Sequence, residues 1–148
     1  MIFRYLNIDK RRRLTFAGHI STNGRIAVGY AVCNNSKDTF KKQRGRDTAR
    51  DRALDKPSFY INRDESLPFG RQFARDIDAI GAFAQENPHF RRLLIQTHDN
   101  QKTNQAGAEV RDLIRSELQS AVAIVINTNN DKLAKEATIE QTARKAVA

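Results

Sequence analysis

The chain has 148 residues, 26 basic and 17 acidic groups, a net charge of +9 and 39% apolar residues. It is the length of one domain, 1–148, expected to bind a ligand, long enough to bury a real core and too apolar to stay disordered. No apolar run nears the roughly 20 residues of a membrane span. The first 13 residues turn basic where a signal peptide would be apolar. Cys33 is the single cysteine, which excludes an internal disulfide framework and a multi-cysteine metal site. A reducing, cytoplasmic compartment is therefore expected.

The positive charge is confined. Residues 1–55 hold 13 basic and 5 acidic groups, 56–99 hold 6 of each, and 100–148 hold 7 and 6. A confined basic surface suits an anionic partner: nucleic acid, nucleotide or acidic protein. A solvated face that keeps the chain soluble is the plainer alternative.

In chain order, 14–21 and 25–33 read as strands. Thr22-Asn23-Gly24 between them predicts a tight type I′ hairpin turn. In the second strand Ile26, Val28, Tyr30 and Val32 share one face. Ala27, Gly29 and Ala31 share the other, a small-residue face suited to the close approach of a helix or ligand. Asn34-Asn35-Ser36 offers a loop and a helix cap, and 37–54 reads as a helix studded with cations around Phe40, Ala49, Ala53 and Leu54. Gly45 inside it either lets a backbone or phosphate come near or divides it in two. A short strand follows at 58–62, then a loop at 64–68. A helix over 70–86 carries the stripe Phe73, Ile77, Ile80, Ala84 and ends at Asn87-Pro88. The continuous apolar run within 90–97 predicts a buried strand, and 98–105 a polar loop. The stripe Val110, Leu113, Ile114, Leu118 makes 106–118 an amphipathic helix. Residues 121–127 read as a buried strand, 128–131 as a turn and cap, and 132–147 as a final helix with a weak apolar face. The class is α+β: an N-terminal β-hairpin and mixed sheet covered by helices.

Chemistry motifs are sparse. His19, His89 and His98 have no metal-ligand spacing, so neither a metal nor any other cofactor is expected. Cys33 after an apolar strand reads as a buried thiol, and no nucleophile elbow occurs. Glycine-rich phosphate loops are absent. A non-enzymatic binding protein is the expectation, with no catalytic residue. Two arginine groups remain. Arg111 and Arg115 lie one helical turn apart and form a clamp able to grip phosphates, unless Glu109, Asp112 or Glu117 neutralises them. The cations between Lys41 and Arg52 form the second group. They fit a nucleic-acid face over 37–54, but without the interleaved aromatics of a single-strand stacking surface. A basic module docking on an acidic protein is a third reading.

The strand end Ala31-Val32-Cys33, followed by Lys37-Asp38-Thr39-Phe40, then Gly45-Arg46 and Ala49, then Arg52-Ala53, resembles the first-described Thoeris anti-defence proteins of phages. The resemblance is anchored on about 25 residues. It implies a sponge acting in the cytoplasm of an infected bacterium. Such a protein binds a cyclic ADP-ribose isomer made by TIR enzymes and sequesters it intact. It also implies a homo-oligomer, dimer or hexamer, and in some members a separate site for cyclic trinucleotides. Carried over residue by residue, Arg111 and Arg115 would hold phosphate, Phe90 would stack on the base, and Asn100, or Asn104 in its place, would complete the pocket. Arg44, Gly45 and Arg46 would belong to the trinucleotide site. Residues 1–24 have no counterpart in the resemblance.

Overall fold

The computed structural model describes residues 1–34, 41–103 and 107–147, with the side chains of these apart from 41, 42, 102, 103 and 147. Four strands, β1 (Ile2–Asn7), β2 (Arg12–Ile20), β3 (Ile26–Asn34) and β4 (Phe59–Ile61), form one sheet in the order β1-β2-β3-β4. Four helices cover it: α1 (Lys41–Leu54), α2 (Phe69–Glu86), α3 (Pro88–Thr103) and α4 (Ala108–Val147). The fold is α+β. Its sheet is antiparallel throughout rather than mixed, because each neighbouring pair runs antiparallel.

The β2–β3 hairpin forms, with Ile20 opposite Ile26. Its turn differs from type I′ at Asn23-Gly24. The Gly24 N–H donates to Ser21 O at 3.0 Å, which centres the turn on Thr22-Asn23. Gly24 follows at φ +81°, the residue that closes a three-residue loop. Strand β1 was not expected. It pairs along its whole length with β2, and Arg4 ties it to α2 by a two-bonded ion pair with Asp78 at 2.6 and 2.7 Å.

Each face of the sheet follows from residue size. The large face carries Leu14, Phe16, Ile26, Val28 and Tyr30, which pack with Phe73, Ile77 and Ile80 of α2, Leu94 of α3 and Leu118 and Val122 of α4. The small face receives α1, as the Ala27-Gly29-Ala31 pattern anticipated. Ala17, Ala49 and Ala53 form its buried cluster. A Cβ on Gly29 would lie 2.3 Å from Ala49 O and 2.4 Å from Ala53 N, so the helix backbone rests directly on the strand. Helix α1 is continuous through Gly45.

Two expected strands are helices. Residues 90–97 belong to α3. Phe90, Leu93, Leu94, Thr97 and His98 are its buried positions, a helical period hidden within an apolar run. Asn87 Oδ1 accepts the Phe90 N–H at 3.1 Å and Pro88 occupies the first turn, so Asn87-Pro88 both ends α2 and starts α3. Residues 98–103 of the expected loop continue α3. Residues 121–127 and the expected turn at 128–131 lie inside α4, an unbroken 40-residue helix. Leu118, Val122, Val125 and Ile126 face the core while Ala123 and Ile124 face out. Packing of that stripe overrides the strand preference of its β-branched residues.

Candidate functional site

Helix α1 ends at Leu54, and the chain bends through Asp55 and Lys56 before β4. Gln101 on α3 clasps this bend. Its Oε1 accepts from Ser58 Oγ at 3.0 Å and its Nε2 donates to Lys56 O at 3.4 Å. Ser58 N–H also donates to Val28 O at 2.8 Å. Lys56 is thus held opposite the first turns of α4. Between them lies a cleft of about 430 Å³, lined by Asp51, Arg52, Asp55, Lys56, Gln101, Ala108, Arg111, Asp112 and Arg115.

Arg111 and Arg115 therefore share one cleft with Arg52 and Lys56. Four cations face three carboxylates, and their commitments differ. Arg52 is built into the protein. Its Nη1 donates to Tyr30 O at 2.8 Å and to His98 Nδ1 at 2.7 Å. His98 Nδ1 also accepts the Val32 N–H at 3.2 Å, so the ring's acceptor nitrogen is Nδ1. Burial holds the Arg52 guanidinium below its usual value. Burial likewise pushes the Tyr30 phenol up, and it stays protonated to donate to Leu94 O at 2.6 Å. Arg115 is paired with Asp112 in the neutralised arrangement weighed above, and that hydrogen bond holds the Asp112 carboxyl below its ordinary value. Asp51 faces Arg50 at 3.5 Å. Arg111 and Lys56 make no ion pair among the described residues. Lys56 and Arg111 also lie near enough to Asp112 to favour its charged form, yet the four cations of the cleft exceed its three carboxylates by one. This favours an anion.

The other sequence candidates lie elsewhere. Phe90 is 3% exposed and packs edge-on against Phe83 at 5.1 Å, away from the cleft. Asn100 is half-buried on α3 and does not line the cleft. Asn104 lies outside the described residues. Gly45 faces the sheet, where a Cβ would meet Cys33 Sγ at 3.0 Å, so the neighbour its small size admits is a strand. Arg46 stacks over Phe3 at 4.6 Å, and Arg44 is exposed. Cys33 is partly buried. On α1, Arg50 faces Asp47 and Asp51, and Gln43 donates to Asp47 at 3.1 Å. The basic face over 41–54 is thus partly neutralised, while 37–40 fall outside the described residues. Sequence reasoning missed Lys56 and Gln101, and placed Arg52 in the basic group of α1 rather than with Arg111 and Arg115. Only contact in space links them, because they come from the α1 end, the bend and α3.

Among the described residues no group of three or more His, Cys, Asp or Glu is placed to hold a metal ion. Among the described residues no helix is long and apolar enough to cross a membrane. Comparison with known proteins matched no family model, no curated protein and no solved structure.

Proposed function

We propose that the chain binds a small phosphorylated nucleotide of the cyclic ADP-ribose class in the α1–α3–α4 cleft and sequesters it without chemistry, as a phage protein that removes a bacterial immune signal. The observation that carries this reading is the convergence of Arg111, Arg115 and Lys56 on one cleft of ligand size. The resemblance around 31–53 supports the ligand class. Arg111 and Lys56 bind the phosphates directly, and Arg115 joins them once phosphate displaces Asp112. Arg52 is a positioning residue, fixed from behind by Tyr30 O and His98. Phe90 has no part in this cleft within one copy.

A homo-oligomer belongs to the same reading. Helix α4 is about 60 Å long at the usual rise. It exposes Val110, Leu113, Ile124 and Ile139, large apolar groups that a second copy would cover.

The test is sequestration. Purified protein is mixed with a TIR-derived cyclic ADP-ribose isomer, free nucleotide is collected by filtration, and the protein is then heat-denatured. Depletion followed by recovery of intact nucleotide is expected. Depletion without recovery means an enzyme, and no depletion removes this ligand class. Arg111→Ala is expected to weaken binding roughly 10- to 100-fold, the loss of a charged hydrogen-bond donor, with an unchanged melting temperature. Wild-type affinity in that variant excludes the cleft. Asp112→Asn is expected to tighten binding at pH 7, by roughly fivefold at most, because an exposed ion pair competes weakly for Arg115. Isothermal titration measures both.

A further inference from the structure

The cations of α1 have aromatic neighbours that lie outside 37–54. They come from β1, and three contacts show that β1 and β2 turn one row of side chains toward α1. Arg46 lies over the Phe3 ring, 4.6 Å from its centroid. Tyr5 stands opposite Thr15, whose Oγ1 a Cβ on Gly45 would meet at 3.3 Å. Asn7 stands opposite Arg13, whose Nε donates to Asn7 Oδ1 at 3.4 Å. Strand residues alternate sides, so Phe3, Tyr5 and Asn7 share this face while Ile2 and Leu6 pack toward the core. Helix α1 rests mainly on β2 and β3, which leaves the edge strand β1 as a ledge beside it.

The ledge is open and basic. Tyr5 is 41% exposed, and with Leu6, Asn7 and Arg13 it lines a concavity of about 390 Å³. The turn after β1 exposes Lys10 and Arg11. In β1, this turn, β2 and the first half of α1 the carboxylates are Asp9 and Asp47. Asp9 is committed to the turn: it accepts the Arg11 and Arg12 N–H groups at 2.8 and 2.7 Å and faces the Arg12 guanidinium at 3.5 Å. Asp47 faces Arg50 at 3.5 Å. Lys10, Arg11, Arg13, Arg44 and Arg46 therefore form a cation excess around an exposed ring.

We propose that this ledge binds an unpaired polynucleotide strand. Tyr5 stacks on a base in the concavity. Lys10, Arg11 and Arg13 on one side, and Arg46 seated on Phe3 on the other, meet the phosphates. Aromatic rings set among cations are the chemistry of sequence-tolerant single-strand binding. An acidic protein needs the cations alone, whereas the open ring in the concavity suits a strand with bases. The contacts are to bases and phosphates, which RNA and DNA share. The proposal does not rest on the nucleotide cleft, which adjoins the other end of α1.

The probe is a fluorescein-labelled oligothymidylate of about 12 nucleotides, within the span of known single-strand modules. It is titrated with the full-length chain and read by fluorescence anisotropy. Saturable binding is expected at about 50 mM salt, weakening roughly 20- to 100-fold by about 200 mM, the slope for about three to five phosphates. Oligouridylate is expected to bind alike, and a duplex of the same length at least about fivefold more weakly, because its bases cannot reach the ring. Tyr5→Ala is expected to weaken binding roughly 5- to 100-fold with an unchanged salt slope, and Tyr5→Trp to restore it. Arg11→Ala is expected to flatten the slope by about 0.7. Both side chains are exposed, so the variants keep the fold. Arg111→Ala is expected to leave strand binding unchanged. No saturation at about 100 μM chain, the weak limit of non-specific affinity, overturns the proposal. Equal duplex affinity, or undiminished affinity in Tyr5→Ala, overturns the stacking and leaves plain attraction to polyanions. A loss in Arg111→Ala overturns the location.

Discussion

Replacing Arg75 with alanine is expected to destabilise the chain by about 3–5 kcal/mol, the scale for stripping a buried charge of its partner. Asp76 is 0% exposed on α2, facing the core side. The sequence makes the pair local, since Arg75 and Asp76 are neighbours, but burial makes it obligatory. Arg75 Nε reaches Asp76 at 2.9 Å while Nη1 reaches Asp64 at 3.1 Å. After substitution Asp76 keeps only the Gln72 Nε2 donor, at 3.2 Å. Gln72 is itself spoken for, donating to Asn62 O at 2.8 Å and accepting from Arg63. Arg75 therefore ties Asp64 of the loop to α2, beside the bonds that Arg63 and Gln72 make to the same loop. Urea denaturation followed by circular dichroism measures the loss. The double variant Arg75→Met with Asp76→Leu is expected to recover most of it, because the charge is then no longer buried. A loss below about 1 kcal/mol in Arg75→Ala would show that Asp76 finds another donor.

The Gly29→Val variant is expected to lose about 3 kcal/mol or more, at the upper end for overpacked cores. The new side chain meets Ala49 O and Ala53 N, both backbone atoms that no rotamer change can move. Helix α1 must lift from β3 as a body. Arg52, which lies one residue before Ala53, would then lose its bonds to Tyr30 O and His98. Nucleotide affinity is thus expected to fall together with stability, whereas Arg111→Ala separates the two. An unchanged urea midpoint for Gly29→Val would mean that α1 does not sit on the small face.

The central hairpin, the small face and the α2 stripe were legible because each is a strong local signal: Asn-Gly, alternation of size, and a period of 3.6. The miscast segments share one cause. Phe90-Arg91-Arg92-Leu93-Leu94-Ile95 and Ala121-Val122-Ala123-Ile124-Val125-Ile126 are short apolar runs in which a helical stripe and a buried strand look alike. Asn87-Pro88 was legible as an end but not as a beginning, because an N-cap is defined by the amide it receives. Strand β1 carries aromatic and aliphatic residues in Ile2-Phe3-Arg4-Tyr5-Leu6, yet its Arg4 and the basic turn after it masked the pattern. At the cleft, the Arg111–Arg115 spacing was readable from the chain alone. The Asp112 partner of Arg115 was readable as an alternative. Lys56 and Gln101 were not, since the fold brings them together from 45 residues apart.

The alanine-and-glycine seam beneath α1 has a kinetic consequence. Gly45, Ala49 and Ala53 place little more than methyl groups against β2 and β3, so α1 is held by closeness of fit rather than by apolar area removed from water. Elements with little buried apolar surface detach in sub-global openings well below the free energy of complete unfolding. Arg52 rides on this helix, and Asp55 and Lys56 follow it directly, so the same opening parts one wall of the cleft from α4. The cleft thus has one movable wall, the thinnest layer of the fold, held by the Arg52 guanidinium and by His19 Nε2, which meets Ala53 O at 2.9 Å.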